Sequence, residues 1–362
     1  MRKFYVIVIL SLAALPALAW AEESHWYDFI RPVGLVDTRV IFAETIPEAS
    51  GFDTVRTSDV LVRYVSLGAI FEPNQFVSGN ALLTMENEES GLYIENGFIT
   101  VRYPWAVTPY VVIGTRAVPT GGYTTYAIED PLVLELFEVN RMAISPGVGN
   151  AYFDLQASFF NGRVDNVDDQ GWPADDVIDT YIVRGEVYFF AFQEAYQLTL
   201  GSYYMNDAVE GDFDLGSTLL HGRYEANVPA YGAFFNATLA FTDLIGLGLA
   251  ADYATTGKFD RRNYLDNAGH ETAISAANFE LALLLFQQSI QIGPKFEMVR
   301  GMDWLGMQAN DPSYKITSYN RYGGFAGYDP WPFLHVGARY LAGADNEGNR
   351  DSEFQFQTAL YF

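Results

Sequence analysis

The chain has 362 residues, a formal net charge of -24 and no cysteine. So acidic a balance excludes a nucleic-acid binder, which needs a basic footprint, and the absence of cysteine excludes a disulfide framework and thiolate chemistry. Aromatic residues are abundant, with 24 Tyr and 27 Phe beside 32 Gly, a mixture that suits strands with aromatic ends and close backbone contacts.

Arg2 and Lys3 precede an almost wholly apolar run from Phe4 to Leu15, followed by Ala19-Trp20-Ala21 and then Glu22-Glu23. A short positive start, a brief greasy core and a small-x-small site predict a secretory signal peptide over 1–21, cleaved after Ala21. That run is too short for an ordinary spanning helix, and no later stretch is longer; Leu281 to Phe286, the densest, is strand-sized. Residues 22–362 are therefore expected outside the cytoplasm, as a soluble secreted protein or as a membrane barrel.

From there the pattern is period two. Alternating segments fall at 35–43, 58–71, 76–87, 91–103, 108–117, 140–148, 150–161, 178–192, 194–206, 230–241, 245–257, 272–285, 289–300, 314–327, 333–343 and 352–362, sixteen in all. On 230–241, Tyr231, Phe235, Leu239 and Phe241 oppose Asn236 and Thr238. On 272–285, Phe279, Leu281, Leu283 and Leu285 oppose Asn278 and Glu280, and on 289–300, Ile290, Ile292, Phe296 and Met298 oppose Gln291, Lys295 and Glu297. The connections alternate as well. Short turn-like pieces (72–75, 104–105, 242–243, 329–332) are interleaved with long polar ones (44–57, 118–139, 162–177, 207–229, 258–271, 301–313). Ser217 to Ala226 is assigned to a long outer loop, because an odd strand count would break the up-and-down parity.

The chain closes on Glu353-Phe354-Gln355-Phe356-Gln357-Thr358-Ala359-Leu360-Tyr361-Phe362, which puts Phe354, Phe356, Leu360 and Phe362 on one face and Glu353, Gln355 and Gln357 on the other. A final aromatic of this kind resembles the signal that outer-membrane barrels present to their assembly machinery. Together with the leader and the loop asymmetry, it predicts an all-β, transmembrane, antiparallel up-and-down barrel of about 16 strands with no plug domain, in the outer membrane of a Gram-negative bacterium. Its partners would be membrane lipid and lipopolysaccharide, small solutes and, as one option, further copies of itself.

Acidic runs at Glu86-Glu88-Glu89, Asp165-Asp168-Asp169, Asp175-Asp176-Asp179 and Asp207-Glu210-Asp212-Asp214 fall between strands and read as solvated loops. Asp165 to Asp176, with Gly171 allowing a turn, is an alternative divalent-cation site, but the spacing matches no calcium loop; no metal and no cofactor is predicted.

A barrel of this size encloses water. Parity points Arg63, Arg102, Arg116, Arg141 and Arg184 inward, with Asp154, Glu186, Asp252, Glu280, Lys295, Glu297 and Arg339. The connection 118–139 holds Glu129, Asp130, Glu135 and Glu138, yet Pro131-Leu132-Val133-Leu134 is too apolar for a freely solvated loop. It is expected to fold into the pore and set these acids across from the arginine row, forming a charged constriction. The alternative is that each arginine satisfies a neighbouring carboxylate and shapes the wall.

The runs Tyr110-Val111-Val112-Ile113-Gly114-Thr115-Arg116-Ala117-Val118-Pro119-Thr120-Gly121-Gly122, Asp130-Pro131-Leu132-Val133-Leu134-Glu135-Leu136 and Ala157-Ser158-Phe159-Phe160-Asn161-Gly162 resemble the LbtU-type siderophore porins. The resemblance implies a plug-free outer-membrane porin that passes ferric siderophores or other small solutes.

Two other classes compete. A barrel hydrolase needs a histidine and a nucleophilic serine within reach. Of His25, His221, His270 and His335 only the last is predicted on a strand, and there is no Gly-x-Ser-x-Gly elbow; no catalytic residue is assigned. A structural or adhesive surface barrel would use its acidic loops to bind ligands.

Overall fold

The structure, a computed structural model, describes residues 29–48, 54–86, 91–118, 120–122, 125–127, 132–161, 178, 180–191, 195–208, 227–258, 273–301, 319–345 and 348–362. The predicted leader, His25, His221, His270, the acidic runs within 162–177 and 209–214, and Ser217 to Ala226 lie outside them.

Sixteen strands follow one another around a closed antiparallel barrel: β1 (Ile30–Ile46), β2 (Val55–Asn74), β3 (Val77–Glu86), β4 (Tyr93–Arg102), β5 (Thr108–Val118), β6 (Val139–Gly149), β7 (Phe153–Phe160), β8 (Thr180–Ala191), β9 (Tyr196–Met205), β10 (Ala230–Ala240), β11 (Ile245–Thr256), β12 (Ser275–Leu285), β13 (Ile290–Arg300), β14 (Tyr319–Trp331), β15 (Leu334–Asp345) and β16 (Arg350–Tyr361). Each pairs with its sequence neighbours, and β1 pairs with β16, from Leu35↔Tyr361 to Ile46↔Arg350. Closure leaves no unpaired edge, which is what a sheet in lipid requires. One short helix, α1 (Leu132–Phe137), lies between β5 and β6.

The two faces are inverted relative to a water-soluble protein. On β16, Phe354 and Phe356 are 40% and 39% exposed while Gln355 and Gln357 are 0% and 7%. On β12 and β13, Phe279, Leu283, Ile292 and Phe296 point out, and Asn278, Glu280, Lys295 and Glu297 are buried within. An apolar exterior on this scale is tolerable in hydrocarbon and not in water. The aromatic rings gather at both rims. At the short-turn rim, Phe29 packs on Phe71, Phe76 on Tyr103, Tyr103 on Trp105 and Trp331 on Phe333. At the other rim, Phe159, Tyr181, Tyr204 and Tyr231 form a continuous chain of ring contacts across β7–β10. Two belts separated by an apolar band match the two interfaces of a bilayer.

Prolines account for the differences from the expected spans. β1 begins at Ile30 rather than 35, because Pro32 pairs with Ala69 of β2 at a point beyond the end of β16, where one side of β1 needs no donor. The expected turn at 329–332 is largely strand: β14 continues to Trp331, and the ladder absorbs Pro330 through an irregularity between Tyr328 and Trp331. The turn expected at 72–75 is likewise shorter, since β2 reaches Asn74, whose side-chain oxygen accepts from the amides of Phe76 and Val77 at 2.8 and 3.0 Å.

Candidate channel lumen

Two polar territories line the inside of the barrel. The first lies on β11–β13. Glu280 and Lys295 are direct cross-strand partners, with Lys295 Nζ 3.3 Å from Glu280 Oε1 and 2.9 Å from Glu297 Oε1; the side chains are 0–4% exposed. Two carboxylates against one ammonium leave a negative charge in a buried place, which is costly unless further donors reach it. The β5–β6 connection supplies them. Thr125 Oγ1 donates to Glu280 Oε1 at 2.8 Å, and the amides of Tyr126 and Ala127 donate to Oε2 at 2.6 and 3.2 Å. One strand over, Asp252 Oδ1 accepts from the Gly122 amide at 3.2 Å. The Tyr126 ring lies on Gly248, whose missing side chain makes the room, and its hydroxyl meets Thr238 Oγ1 at 3.3 Å. Burial pushes the Tyr126 phenol above its ordinary range, with the Glu280 charge adding to the effect and the Thr238 hydrogen bond opposing it.

Hydrophobic burial completes the docking. Val133, Leu136 and Phe137 of α1 pack into a cluster with Val118, Val139, Phe160, Ile182, Met205, Ala254, Ile274 and Val299. These wall residues sit at the long-connection ends of β5–β13, so the helix fills that end of the lumen along this arc. Val133, from the run that is too apolar for a solvated loop, has its partners here.

The second territory spans β4–β8. A cavity of about 430 Å³ is lined by Thr100, Arg102, Thr108, Tyr110, Arg116, Asp154, Gln156, Arg184 and Tyr188, among others. Tyr110 OH donates to Asp154, 2.9 and 2.8 Å from its two oxygens. To do so its ring crosses β6 over Gly147, where any Cβ would collide with it. Arg184 Nη2 donates to Glu186 at 2.8 Å, Tyr188 OH also bonds Glu186, and the Arg184 guanidinium stacks 5.0 Å from the Phe234 ring. Arg116 lies 5.9 Å from the Phe98 ring, and its Nε and Nη2 are buried without a hydrogen-bond partner among the described residues.

Three of the five expected arginines therefore share one cavity. Arg102 lies at its outer end, exposed, with Nε on the Gln75 carbonyl at 3.1 Å. Arg141 is the register partner of Arg116 and donates to the Asn140 carbonyl at 3.1 Å; it does not line the cavity. Arg63 sits apart at an irregularity of β2, its guanidinium 4.6 Å from the Tyr64 ring. Glu129 and Asp130 lie outside the described residues, as does the Glu135 side chain, and Glu138 is half-buried between α1 and β6. Tyr110, Tyr188 and Phe234 were missed by the sequence reading, although Tyr110 shares parity with Arg116 and Tyr188 with Arg184.

A third stretch of wall carries local pairs. Arg39 donates through Nε and Nη2 to Asp37, at 3.1 and 3.0 Å. Arg339 reaches Glu353 at 2.6 Å and Arg321 reaches Asp351 at 2.7 Å. His335 Nδ1 meets Asp329 Oδ1 at 2.6 Å near the short turns.

No family model and no curated protein matches the chain. Among solved structures it is similar to an anion-selective porin from Comamonas acidovorans, at 12% identity and TM-score 0.59 over 92% of this chain and 99% of that one. It is similar also to the outer-membrane channel DcaP of Acinetobacter baumannii, at 10% identity and TM-score 0.54 over 92% and 97%. A third is OmpT, an outer-membrane protein of Vibrio cholerae, at 11% identity and TM-score 0.51 over 92% and 97%. At such identities the likeness is one of fold, and the fold is the barrel of outer-membrane porins. These matches do not confirm the siderophore-porin resemblance.

Proposed function

We propose that this chain is an outer-membrane porin of a Gram-negative bacterium, a water-filled passage for small solutes narrowed by its β5–β6 connection. One observation carries the reading: a closed sheet whose charged residues face inward and whose apolar face is bounded by two aromatic belts. The fold likeness to porins supports it. Arg116 and Arg184 set the charge of the passage on the β4–β8 side, and fixed charge in a narrow aqueous path determines which ions pass. Passage of ferric siderophores is the finer form of this reading; it rests on the resemblance of the runs around 110–122 and 130–136.

The lipid-facing surface would meet phospholipid and lipopolysaccharide. The ring of Phe362, against Gly34 where the barrel closes, would serve the assembly machinery. OmpT is known in a trimer form, and a homo-oligomer is the corresponding proposal here. Planar-bilayer recording of the purified protein tests the whole reading. Discrete conducting steps are expected, and Arg116→Ala should shift the reversal potential in a salt gradient. A detergent-free, soluble monomer without conductance would overturn it.

A further inference from the structure

We infer that the β4–β8 cavity is a residence site for small hydroxylated monocarboxylates, in which Arg116 takes the carboxylate and Asp154 takes hydroxyls. The inference rests on the channel reading above and adds to it a ligand class and a place of binding.

The donors left over identify the anion. Arg102, Arg116 and Arg184 stand against Asp154 and Glu186, so one positive charge of the five is uncompensated. Arg184 is occupied by Glu186 at Nη2, which leaves its Nε as a single buried donor, and Arg102 bonds the Gln75 carbonyl. Arg116 alone presents Nε and Nη2 buried and unpartnered among the described residues. These nitrogens share one edge of the guanidinium, the edge that forms two parallel hydrogen bonds with a carboxylate. The Phe98 ring lies beside the group at 5.9 Å. Buried donors without an acceptor are costly, and a carboxylate supplies both acceptors at once.

The remainder of the ligand is set by acceptors. An ionised carboxylate offers about four lone-pair sites. Asp154 spends its contact to protein on the single Tyr110 hydroxyl, leaving oxygens for ligand hydroxyls. Thr100, Thr108, Asn150 and Gln156 continue a polar lining toward the short turns. A second anionic group would meet Asp154 and Glu186, with only the exposed, water-screened Arg102 at the rim to offset it, so polyanions are disfavoured. The volume of about 430 Å³ is within the range of small-molecule sites.

Single-channel recording with gluconate, glucose and citrate tests this. Gluconate should interrupt the current for measurable times, glucose should not, and citrate should do so less than gluconate. Arg116→Gln should shorten the gluconate residence about tenfold or more while the conducting steps persist. Unchanged residence in Arg116→Gln, or equal interruption by glucose, would overturn the site while leaving the channel intact. If no steps occur at all, the channel reading fails, and equilibrium dialysis of the detergent-folded barrel decides the site separately. Saturable gluconate binding lost in Arg116→Gln supports it; absent binding, or binding equal in the variant, refutes it.

Discussion

The walls β11–β13 and β4–β8 use the same residue types and resolve burial in opposite ways. On β11–β13 the charges are sealed. Glu280, Lys295 and Glu297 have almost no exposure, and the surplus negative charge is answered by amides of the β5–β6 connection. On β4–β8 the charges border a cavity, and the surplus is a guanidinium edge that nothing in the described chain answers. The first wall spends its charge holding the chain together, and the second keeps its charge for what passes. The difference follows from where the β5–β6 connection spends its polar groups: Thr125, Tyr126 and Ala127 donate to Glu280 on β12, and none of its described residues lines the β4–β8 cavity.

The largest test of this contrast is to remove the anchor. Glu280→Ala leaves the Lys295 ammonium with one carboxylate, strips the Tyr126 amide of its acceptor and removes one of the acceptors of Thr125 and Ala127. Removing one member of a buried pair costs about 3–5 kcal/mol, to be read as a lower denaturant midpoint of the detergent-folded barrel. Conductance should rise as the connection detaches. Lys295→Met should cost at least as much, because it leaves Glu280 and Glu297 as two buried carboxylates with no ammonium between them, while the loop amides keep the connection docked on Glu280. Glu280→Gln combined with Lys295→Met should destabilise by less than the sum of the singles, with a coupling of about 0.5–3 kcal/mol. Strict additivity would show that the wall charges do not act as one cluster.

Glycines give an intermediate and more discriminating pair. Gly248→Ala places a methyl against the Tyr126 ring in a packed interface, and overpacking there costs about 1–3 kcal/mol. Gly147→Ala does the same to Tyr110, but that ring borders a cavity and has space to move. Its expected result is a changed conductance, through loss of the Tyr110–Asp154 contact, with a smaller change in midpoint. Equal stability losses would erase the distinction between the walls.

Much of this was legible in the chain and some was not. Period two assigns faces without knowledge of neighbours, so Glu280, Lys295, Arg116 and Arg184 read as inward from parity alone. The strand series was legible for the same reason; three of its differences sit at Pro32, Pro73 and Pro330, where a breaker is tolerated by a free edge or an irregular ladder. Contacts between distant strands were not legible. Thr125 and Glu280 are 155 residues apart, and Tyr110 and Asp154 are 44 apart, so their meeting depends on the barrel register summed over several strands. Which arginines share a cavity depends on the same sum: Arg116 and Arg184 do, and Arg63, equally inward by parity, does not.

The smallest effects compare two hydroxyls. Thr125→Val removes one donor to Glu280 in the sealed wall; Oε1 keeps Lys295 at 3.3 Å but loses a neutral hydrogen bond in a buried place, so about 1 kcal/mol is expected. Tyr110→Phe removes the donor to Asp154 beside the open cavity. There water replaces the phenol, and the stability change should fall below that of Thr125→Val. The charge effect runs the other way. Asp154, released from Tyr110, is free to pair with Arg116 and neutralise it, so the permeability of the channel to anions should fall in Tyr110→Phe and stay unchanged in Thr125→Val. Reversal potentials and denaturant midpoints of the two variants, measured side by side, separate a wall that holds from a wall that selects.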